Sequence, residues 1–221
     1  MRALILTFSF LFILRIGYSQ NSDYKKNEIS LGIINQMKSP KDQESFFLNS
    51  YYIVPLNNFI YKRFINERNA IRLSYFRPIN KSYNKPISGG FSDGKYKEQV
   101  LKIGYEYRFK QKRFIPYIDI DFSYLKSSSL NEFGGGIAGS FSSLERQSKG
   151  YGLSPTIGVN YKIHKNVFIG LESNLSVLSL KEDKISSSRP IYSDPIEITK
   201  NQSKYFEFVF NPIAFTATFR F

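Results

Sequence analysis

The alternation of apolar and polar residues constrains the fold of this chain more than any other feature. Between residues 101 and 110, one parity is wholly apolar: Leu101, Ile103, Tyr105, Tyr107 and Phe109. The other parity is charged or small: Lys102, Gly104, Glu106, Arg108 and Lys110. Because successive side chains of a β-strand point to opposite faces, this segment predicts a strand with one apolar face and one polar face.

Similar segments recur along the chain and predict eight strands in total. Residues 151–163 place apolar side chains opposite Gly, Ser, Thr and Asn, and residues 114–125 place them opposite Asp119 and Asp121. The predicted strands are residues 28–36, 51–65, 70–79, 98–110, 114–125, 151–163, 167–180 and 205–221. The second of them carries apolar residues on both parities, so its register is left unassigned.

Short and long connections alternate between these strands. The short polar turns are residues 66–69, 111–113 and 164–166. The long segments, rich in Ser, Gly, Asn and Lys, are residues 37–49, 80–97, 126–150 and 181–204, and we predict them as loops. Tight turns at one end and long loops at the other are typical of an up-and-down barrel in a membrane. We therefore predict an all-β fold, a closed antiparallel transmembrane β-barrel of eight strands.

Composition fits this fold and narrows the function classes. The chain has 16 Tyr, 21 Phe and no Trp, and β-formers such as Tyr and Phe are enriched in strands. It has no cysteine, which excludes disulfides, thiolate metal sites and cysteine nucleophiles. The formal net charge of +13 favours an acidic partner, either nucleic acid or a phosphate-rich membrane surface.

The N-terminal segment decides between those partners. Arg2 is followed by an apolar run from Ala3 to Leu14 and by the small residues Gly17 and Ser19. This is the plan of a secretory signal, and the apolar run is short for a membrane-spanning helix. We expect residues 1–19 to be a cleaved signal peptide and residues 20–221 to form the barrel, located in the cell outer membrane with no nucleic-acid partner.

The C-terminal strand ends on AFTATFRF, in which aromatic residues share one face. This resembles the last strand of outer-membrane β-barrels, and the resemblance implies that Phe215, Phe219 and Phe221 form the signal read by the barrel assembly machinery. The chain as a whole resembles the small eight-stranded barrels of the outer membrane protein A/X type. A soluble lipocalin-like barrel, with its apolar residues pointing inward, is the rival fold.

An eight-stranded barrel has an interior just wide enough to be filled by side chains, so we predict a packed polar network inside it. Its members are Lys102, Glu106, Arg108, Asp119, Asp121, Lys162, Glu172 and Arg220. Outside, Ile103, Tyr105, Ile157, Val159 and Leu171 are predicted to contact lipid, whereas Asn160 points inward. The alternative for the charged residues is an ion path or an acid–base pair of carboxylates.

Little in the sequence favours catalysis. His164 is the only histidine and falls in a predicted turn, so it has no second His or Cys with which to form a metal site. The glycine cluster at residues 133–141 lacks a following Lys-Ser/Thr pair and is predicted to be a mobile external loop rather than a phosphate-binding loop. We expect no enzymatic activity, no catalytic or metal-binding residues and no cofactor.

The function expected from these features is a structural or surface-interaction role. The four long segments would meet lipopolysaccharide, outer-membrane lipid or a surface ligand whose identity the sequence does not specify, and the barrel is expected to be a monomer. A narrow porin-like channel for small solutes is the alternative function. A lipid-modifying outer-membrane enzyme is the third, and the single histidine disfavours it.

Overall fold

The computed structural model describes residues 26–38, 51–87, 90–109, 113–135, 140–189 and 197–221, with the backbone alone for residues 37–38, 51–53, 77–87, 90–91 and 140. These residues form β1 (Asn27–Lys38), β2 (Tyr51–Phe64), β3 (Asn69–Ile87), β4 (Gly90–Arg108), β5 (Phe114–Gly135), β6 (Ser140–His164), β7 (Val167–Arg189) and β8 (Glu197–Arg220). Across the described ranges there is no helix with the length and apolarity needed to cross a membrane. The predicted signal peptide, residues 1–19, lies outside the described residues.

Each strand pairs antiparallel with the next one, and β1 pairs with β8 to close a ring of eight strands. At the closing seam the register runs from Glu28 opposite Arg220 to Asn35 opposite Ala214. The Asn27 amide donates to the Phe221 carbonyl at 3.0 Å, and the Phe221 amide returns a bond to Asn27 at 2.9 Å. The start of β1 and the end of β8 therefore meet at one end of the barrel.

That same end carries the short connections. Residues 65–68 join β2 to β3, and residues 165–166 join β6 to β7, both close to the predicted turns. The third predicted turn, residues 111–113, is described only at Arg113. The tight turns thus lie together at the end where β1 and β8 begin and finish.

The opposite end differs from the prediction, because most of the segments predicted as long loops are strands. Residues 80–97 continue β3 and β4 as far as the pair Ile87 and Gly90. Residues 126–150 continue β5 and β6 as far as the pair Gly135 and Ser140. Residues 181–204 likewise extend β7 and β8, with Ser188 opposite Glu197. The prediction of three long loops at these places is therefore wrong.

The physical reason is that pairing outweighs composition. Ser, Lys, Asn and Gly have low intrinsic preference for strands, which is why the segments were predicted as loops. Hydrogen bonds to neighbouring strands satisfy their backbone all the same, and intrinsic β-preference is weak against such pairing. The prediction of a mobile loop at residues 133–141 is wrong at its two ends, since Phe133 to Gly135 lie in β5 and Ser140 and Phe141 lie in β6, and residues 136–139 lie outside the described residues. For the segment 37–49, Met37 and Lys38 belong to β1, and residues 39–50 lie outside the described residues.

The strand extensions form a sheet of six strands beyond the closed ring. Pairing of β1 with β8 ends at Asn35 and Ala214, and pairing of β2 with β3 ends at Asn58 and Phe76. Above this level β3 to β8 continue side by side. We call this part the extended sheet; its residues are 79–87, 90–98, 126–135, 140–150, 181–189 and 197–204.

Side-chain burial shows which face of the ring points outward. The exposed side chains of the ring are apolar and include Leu101, Ile103, Tyr105, Ile118, Ile120, Phe122, Ile157 and Leu171. The buried ones are mostly polar and include Glu106, Asp119, Asn160 and Glu172. The predicted orientation of these residues is confirmed, with Val159 only half-buried. An apolar exterior around a polar interior is the arrangement of a transmembrane barrel, and it is the reverse of a lipocalin-like barrel.

The register of β2, left open by the sequence, is now defined. Ile60, Lys62 and Phe64 are buried inside the barrel, whereas Phe59 is exposed outside it. Both parities of β2 are apolar because two of the three inward side chains are hydrophobic. Phe64, for example, contacts the guanidinium groups of Arg108 and Arg220 inside the barrel, and the alternation of the sequence does not predict such contacts.

The outward band provides a test with a matched control. Ile157 is 65% exposed and lies midway along the apolar stretch of β6, whereas Ile198 is 62% exposed in the extended sheet. We predict that Ile157→Arg lowers the free energy of unfolding by about 2–4 kcal/mol, the cost of an Arg at the bilayer midplane. Ile198→Arg should change it by less than about 0.5 kcal/mol, as for an exposed residue in water. Urea unfolding in lipid vesicles measures both, and equal effects would contradict the assignment of the lipid-facing band.

Candidate functional site

The interior of the barrel brings together ten charged side chains of balanced sign. We call them the interior network. Its cations are Lys62, Arg72, Lys102, Arg108 and Arg220. Its carboxylates are Glu28, Glu106, Asp119, Asp121 and Glu172. Nine of the ten are buried and Arg220 is half-buried. A buried charge persists only when it is paired and hydrogen-bonded, and the five cations match the five carboxylates in number.

The half of the network nearer the termini is built around Arg108. Its Nη1 donates to Glu28 Oε1 at 2.9 Å, and its Nε donates to Glu106 Oε1 at 2.6 Å. Arg220 Nε reaches the same Glu28 oxygen at 2.7 Å. Lys62 Nζ lies 2.5 Å from Glu106 Oε2. Side chains from β1, β2, β4 and β8 are thereby joined across the lumen.

Two aromatic rings close this end of the lumen. The guanidinium of Arg220 lies 5.1 Å from the Phe64 ring centre and 4.9 Å from that of Phe168. The guanidinium of Arg108 also lies over the Phe64 ring, 4.3 Å from its centre. Both rings are buried. A cation held over an aromatic face is stabilised by the ring quadrupole, and these contacts fill the space between the arginines.

The other half of the network is built around Arg72. Its Nη1 donates to Asp119, its Nη2 lies 3.3 Å from Glu172, and its Nε lies 3.7 Å from Asp121. The Nε also donates to Ser74 Oγ at 3.1 Å. One guanidinium therefore faces three carboxylates contributed by β5 and β7. Arginine suits this position because its planar guanidinium presents several N–H donors at once.

Glycines on the inner face make room for these long side chains. Gly104 lies opposite Arg72 on one side and Asp121 on the other, and a Cβ at this position would overlap Asp121. Gly158 likewise lies opposite Tyr117 and Glu172, and a Cβ there would overlap the Tyr117 ring. The Tyr117 hydroxyl donates to Glu172 Oε2 at 2.8 Å.

Above the ion pairs the lumen is filled first by small polar groups and then by an apolar layer. Ser154 contacts Ser123 at 2.6 Å and Ser176 at 2.7 Å between hydroxyl oxygens. Lys102 Nζ donates to Asn174 Oδ1 at 3.1 Å and lies 5.2 Å from the centre of the Phe76 ring. The apolar layer lies beyond it and consists of Val100, Leu125, Leu178 and Leu180, packed against Phe76 and Val209.

Seven of the eight residues predicted for the interior lie in this network. Lys162 does not: its side chain is exposed, so its predicted place in a buried network is wrong. It lies on the inward parity of β6, opposite Phe168, but two residues from the end of the strand, where water reaches it. The sequence prediction also missed Glu28, Lys62, Arg72 and Tyr117. Three of these were visible on polar faces; Lys62 was hidden by the ambiguous pattern of β2.

The residues predicted as an assembly signal lie on β8 and at its end. Phe215 and Phe219 are exposed on the outer face, and the Phe219 ring stacks on Phe221 with centres 6.2 Å apart. Thr216 and Thr218 alternate with them and are buried inside. Recognition of these aromatic residues by an assembly machinery remains a prediction.

The remaining candidates for chemistry are His164 and the carboxylates. His164 is exposed at the end of β6, beside a short turn and far along the strand from the extended sheet. Within the described ranges, no three His, Cys, Asp or Glu residues are grouped so that they could hold a metal ion. The network carboxylates face cations, so their arrangement is that of a structural ion-pair network.

Comparison with known proteins bears on the fold. No protein-family model and no curated protein matches the chain. The solved structures similar to it include the outer membrane protein OprG from Pseudomonas aeruginosa, with a TM-score of 0.54 and 14% identity over 88% of this chain and 96% of that one. The chain has the fold of the small outer-membrane β-barrels. The predicted fold class is thereby confirmed.

Two other solved structures are similar over nearly their whole length. The attachment invasion locus protein Ail of Yersinia pestis aligns over 89% of this chain and 99% of its own, with 14% identity and a TM-score of 0.47. Outer membrane protein W of E. coli aligns over 89% and 98%, with 14% identity and a TM-score of 0.42.

The network centred on Arg72 yields a stability prediction. Arg72→Met leaves Asp119, Asp121 and Glu172 without their shared cation, and breaking a buried pair in this way costs about 3–5 kcal/mol. We expect a loss of that size in the free energy of unfolding, measured in detergent by gel mobility because the chain has no Trp. Adding Asp119→Asn and Glu172→Gln to Arg72→Met should restore most of the loss. Lys162→Met is the exposed control and should have almost no effect; an equal loss there would refute the prediction.

Proposed function

We propose that the protein is an outer-membrane barrel with a sealed lumen that anchors the extended sheet as an interaction surface outside the cell. The observation that carries the proposal is the combination of a filled interior with six strands that continue beyond the apolar band. In this proposal residues 1–19 direct export, the C-terminal aromatic residues direct assembly, and the barrel acts as a monomer without enzymatic activity.

The filled interior supports a sealed lumen. A solute would have to cross the aromatic rings of Phe64 and Phe168, the interior network and the apolar layer in turn. Separating one buried ion pair costs about 3–5 kcal/mol, so a path through the network would require several such costs at once. The apolar layer adds a section of the lumen in which hydrophobic side chains are packed together, and such side chains do not hydrate an ion. These features disfavour the alternative of a narrow channel.

Strand length supports the role of the extended sheet. A tilted strand needs about 9–11 residues to cross a bilayer, whereas β6 has 25 and β8 has 24. The additional residues carry Ser, Lys, Asn and Gln, which suit a surface in water. A pocket of about 220 Å³ lies near the tip of this sheet, between residues such as Ser142, Lys184 and Glu197. The sheet therefore offers a broad polar surface held rigidly by the barrel.

Conductance tests the sealed lumen. In planar lipid bilayers the wild-type barrel should give no stepwise current, because its interior is filled. Arg108→Ala combined with Arg220→Ala removes both guanidinium groups beside Phe64 but leaves the Arg72 ion pairs and the apolar layer in place, so this variant should also give no steady current. Steady ohmic conductance by the wild type would support the channel instead and would contradict the proposal.

Surface labelling tests the orientation of the extended sheet. The chain has no cysteine, so single cysteines can be introduced without interference. We expect Gln147→Cys, on the exposed side of the extended sheet, to react with a membrane-impermeant maleimide on intact cells. Lys165→Cys, in the short turn between β6 and β7, should react only after the outer membrane is broken. The reverse pattern would show that the extended sheet faces the periplasm.

A further inference from the structure

Four lysines form a continuous row across four neighbouring strands. Lys126 on β5 lies directly opposite Lys149 on β6, Lys149 lies opposite Lys181 on β7, and Lys181 lies opposite Lys204 on β8. We call these residues the lysine row. Neighbouring strands are about 4.8 Å apart, so the row spans about 14 Å. The sequence separates these lysines by more than twenty residues each, and only the strand register brings them together.

The lysine row lies on the outer face of the barrel, next to the end of the apolar band. One rung nearer the membrane, the same four strands carry Tyr124, Tyr151, Ser179 and Phe206. Tyr124, Tyr151 and Phe206 are exposed. Aromatic residues mark the membrane–water interface of such barrels, and the next rung is about 7 Å further out. The row is therefore at the level of the lipid headgroups, where lysine stems lie along apolar surface and their ammonium groups reach the polar layer.

Within the described part of the chain, no ion pair compensates this charge. Lys126, Lys149 and Lys204 are exposed and Lys181 is half-buried, and across the described residues none of the four forms an ion pair. The next rung outward contains one carboxylate, Asp183, which accepts a hydrogen bond from Gln202 at 2.5 Å. Like charges directly opposite each other destabilise a sheet. An unpaired row of four is therefore best explained by an acidic partner outside the chain.

We propose that the lysine row binds the phosphate groups of a phosphorylated saccharolipid in the outer leaflet of the membrane. The proposal rests on the proposed function for the position of the extended sheet outside the cell. Lysine binds phosphate as a point charge, and a row about 14 Å long can hold more than one phosphate of the same headgroup. A phospholipid with a single phosphodiester would engage only part of the row. The aromatic rung below would contact the acyl chains of the same lipid.

Binding of lipid A to the purified full-length barrel in detergent tests this proposal. Native mass spectrometry compares the wild type with a variant carrying Lys126→Gln, Lys149→Gln, Lys181→Gln and Lys204→Gln. We expect bisphosphorylated lipid A to bind the variant at least about tenfold more weakly, since several charge-assisted contacts are lost. Lipid A without phosphates should bind both proteins equally weakly. Equal binding of the bisphosphorylated lipid to both proteins would overturn the proposal.

A control with the same change in net charge separates position from total charge. Lys26→Gln, Arg113→Gln, Lys162→Gln and Lys165→Gln remove four cations at the short-turn end of the barrel and should leave binding unchanged. An equal loss in this control would overturn the proposal. Heat-modifiable gel mobility reports folding; if the fourfold row variant does not fold, Lys149→Gln with Lys181→Gln should still weaken binding, and no change there would overturn it.

Two further ligands define the chemistry that is recognised. Phosphatidylglycerol should bind more weakly than bisphosphorylated lipid A. If both lipids bound the wild type equally and both lost affinity in the row variant, the row would recognise anionic lipids in general, and the proposal of a saccharolipid would be overturned. Inorganic phosphate should not displace lipid A at equal phosphate concentration, and displacement would make free phosphate the ligand. Lipid binding is measured on purified protein, whereas the proposed function is tested by conductance and by labelling of intact cells. The two proposals can therefore fail independently of each other.

Discussion

A peptide group in hydrocarbon has no water to bond with, and the rest of this structure depends on that constraint. Every backbone donor and acceptor within the apolar band must find a partner in a neighbouring strand, so the first and last strands have to pair. The β1–β8 seam meets this requirement, and ring closure then fixes which parity faces inward. Once the ring is closed with apolar side chains outside, the polar side chains have only the lumen to occupy.

The interior network follows from this confinement. Eight strands enclose little volume, so charges inside must lie within contact distance of opposite charges or remain unsatisfied. Among the described residues, the interior network has five charges of each sign, and Gly104 and Gly158 lie where Asp121 and Tyr117 need space. Arginine dominates because one guanidinium can serve two or three carboxylates, as Arg108 and Arg72 do. Because the outer face of the ring is apolar, the charged side chains of its strands lie in the small lumen and pair with one another there.

The fold and part of the site could be predicted from alternation. β4 reads without ambiguity, and its Lys102, Glu106 and Arg108 are all inside. β2 could not be assigned because Ile60 and Phe64 are apolar inward residues, and Phe64 serves as a surface for two arginines. The extended sheet was missed because Ser- and Lys-rich segments carry loop composition, while the pairing that makes them strands is a long-range property. The lysine row escaped for the same reason, since it exists only through register.

The seam between β1 and β8 has a consequence for how the barrel forms. Glu28 lies near one end of the chain and Arg220 near the other, and their contact joins residues from the first and last strands. Until the last strand arrives, the Glu28 side of the lumen lacks part of its neutralising charge, and the backbone edges of both strands are open. Closure therefore satisfies backbone and charge in one event. A sheet that lacks this seam keeps two open backbone edges and leaves Glu28 without Arg220, so pairing of the final strand completes both the ring and this part of the network.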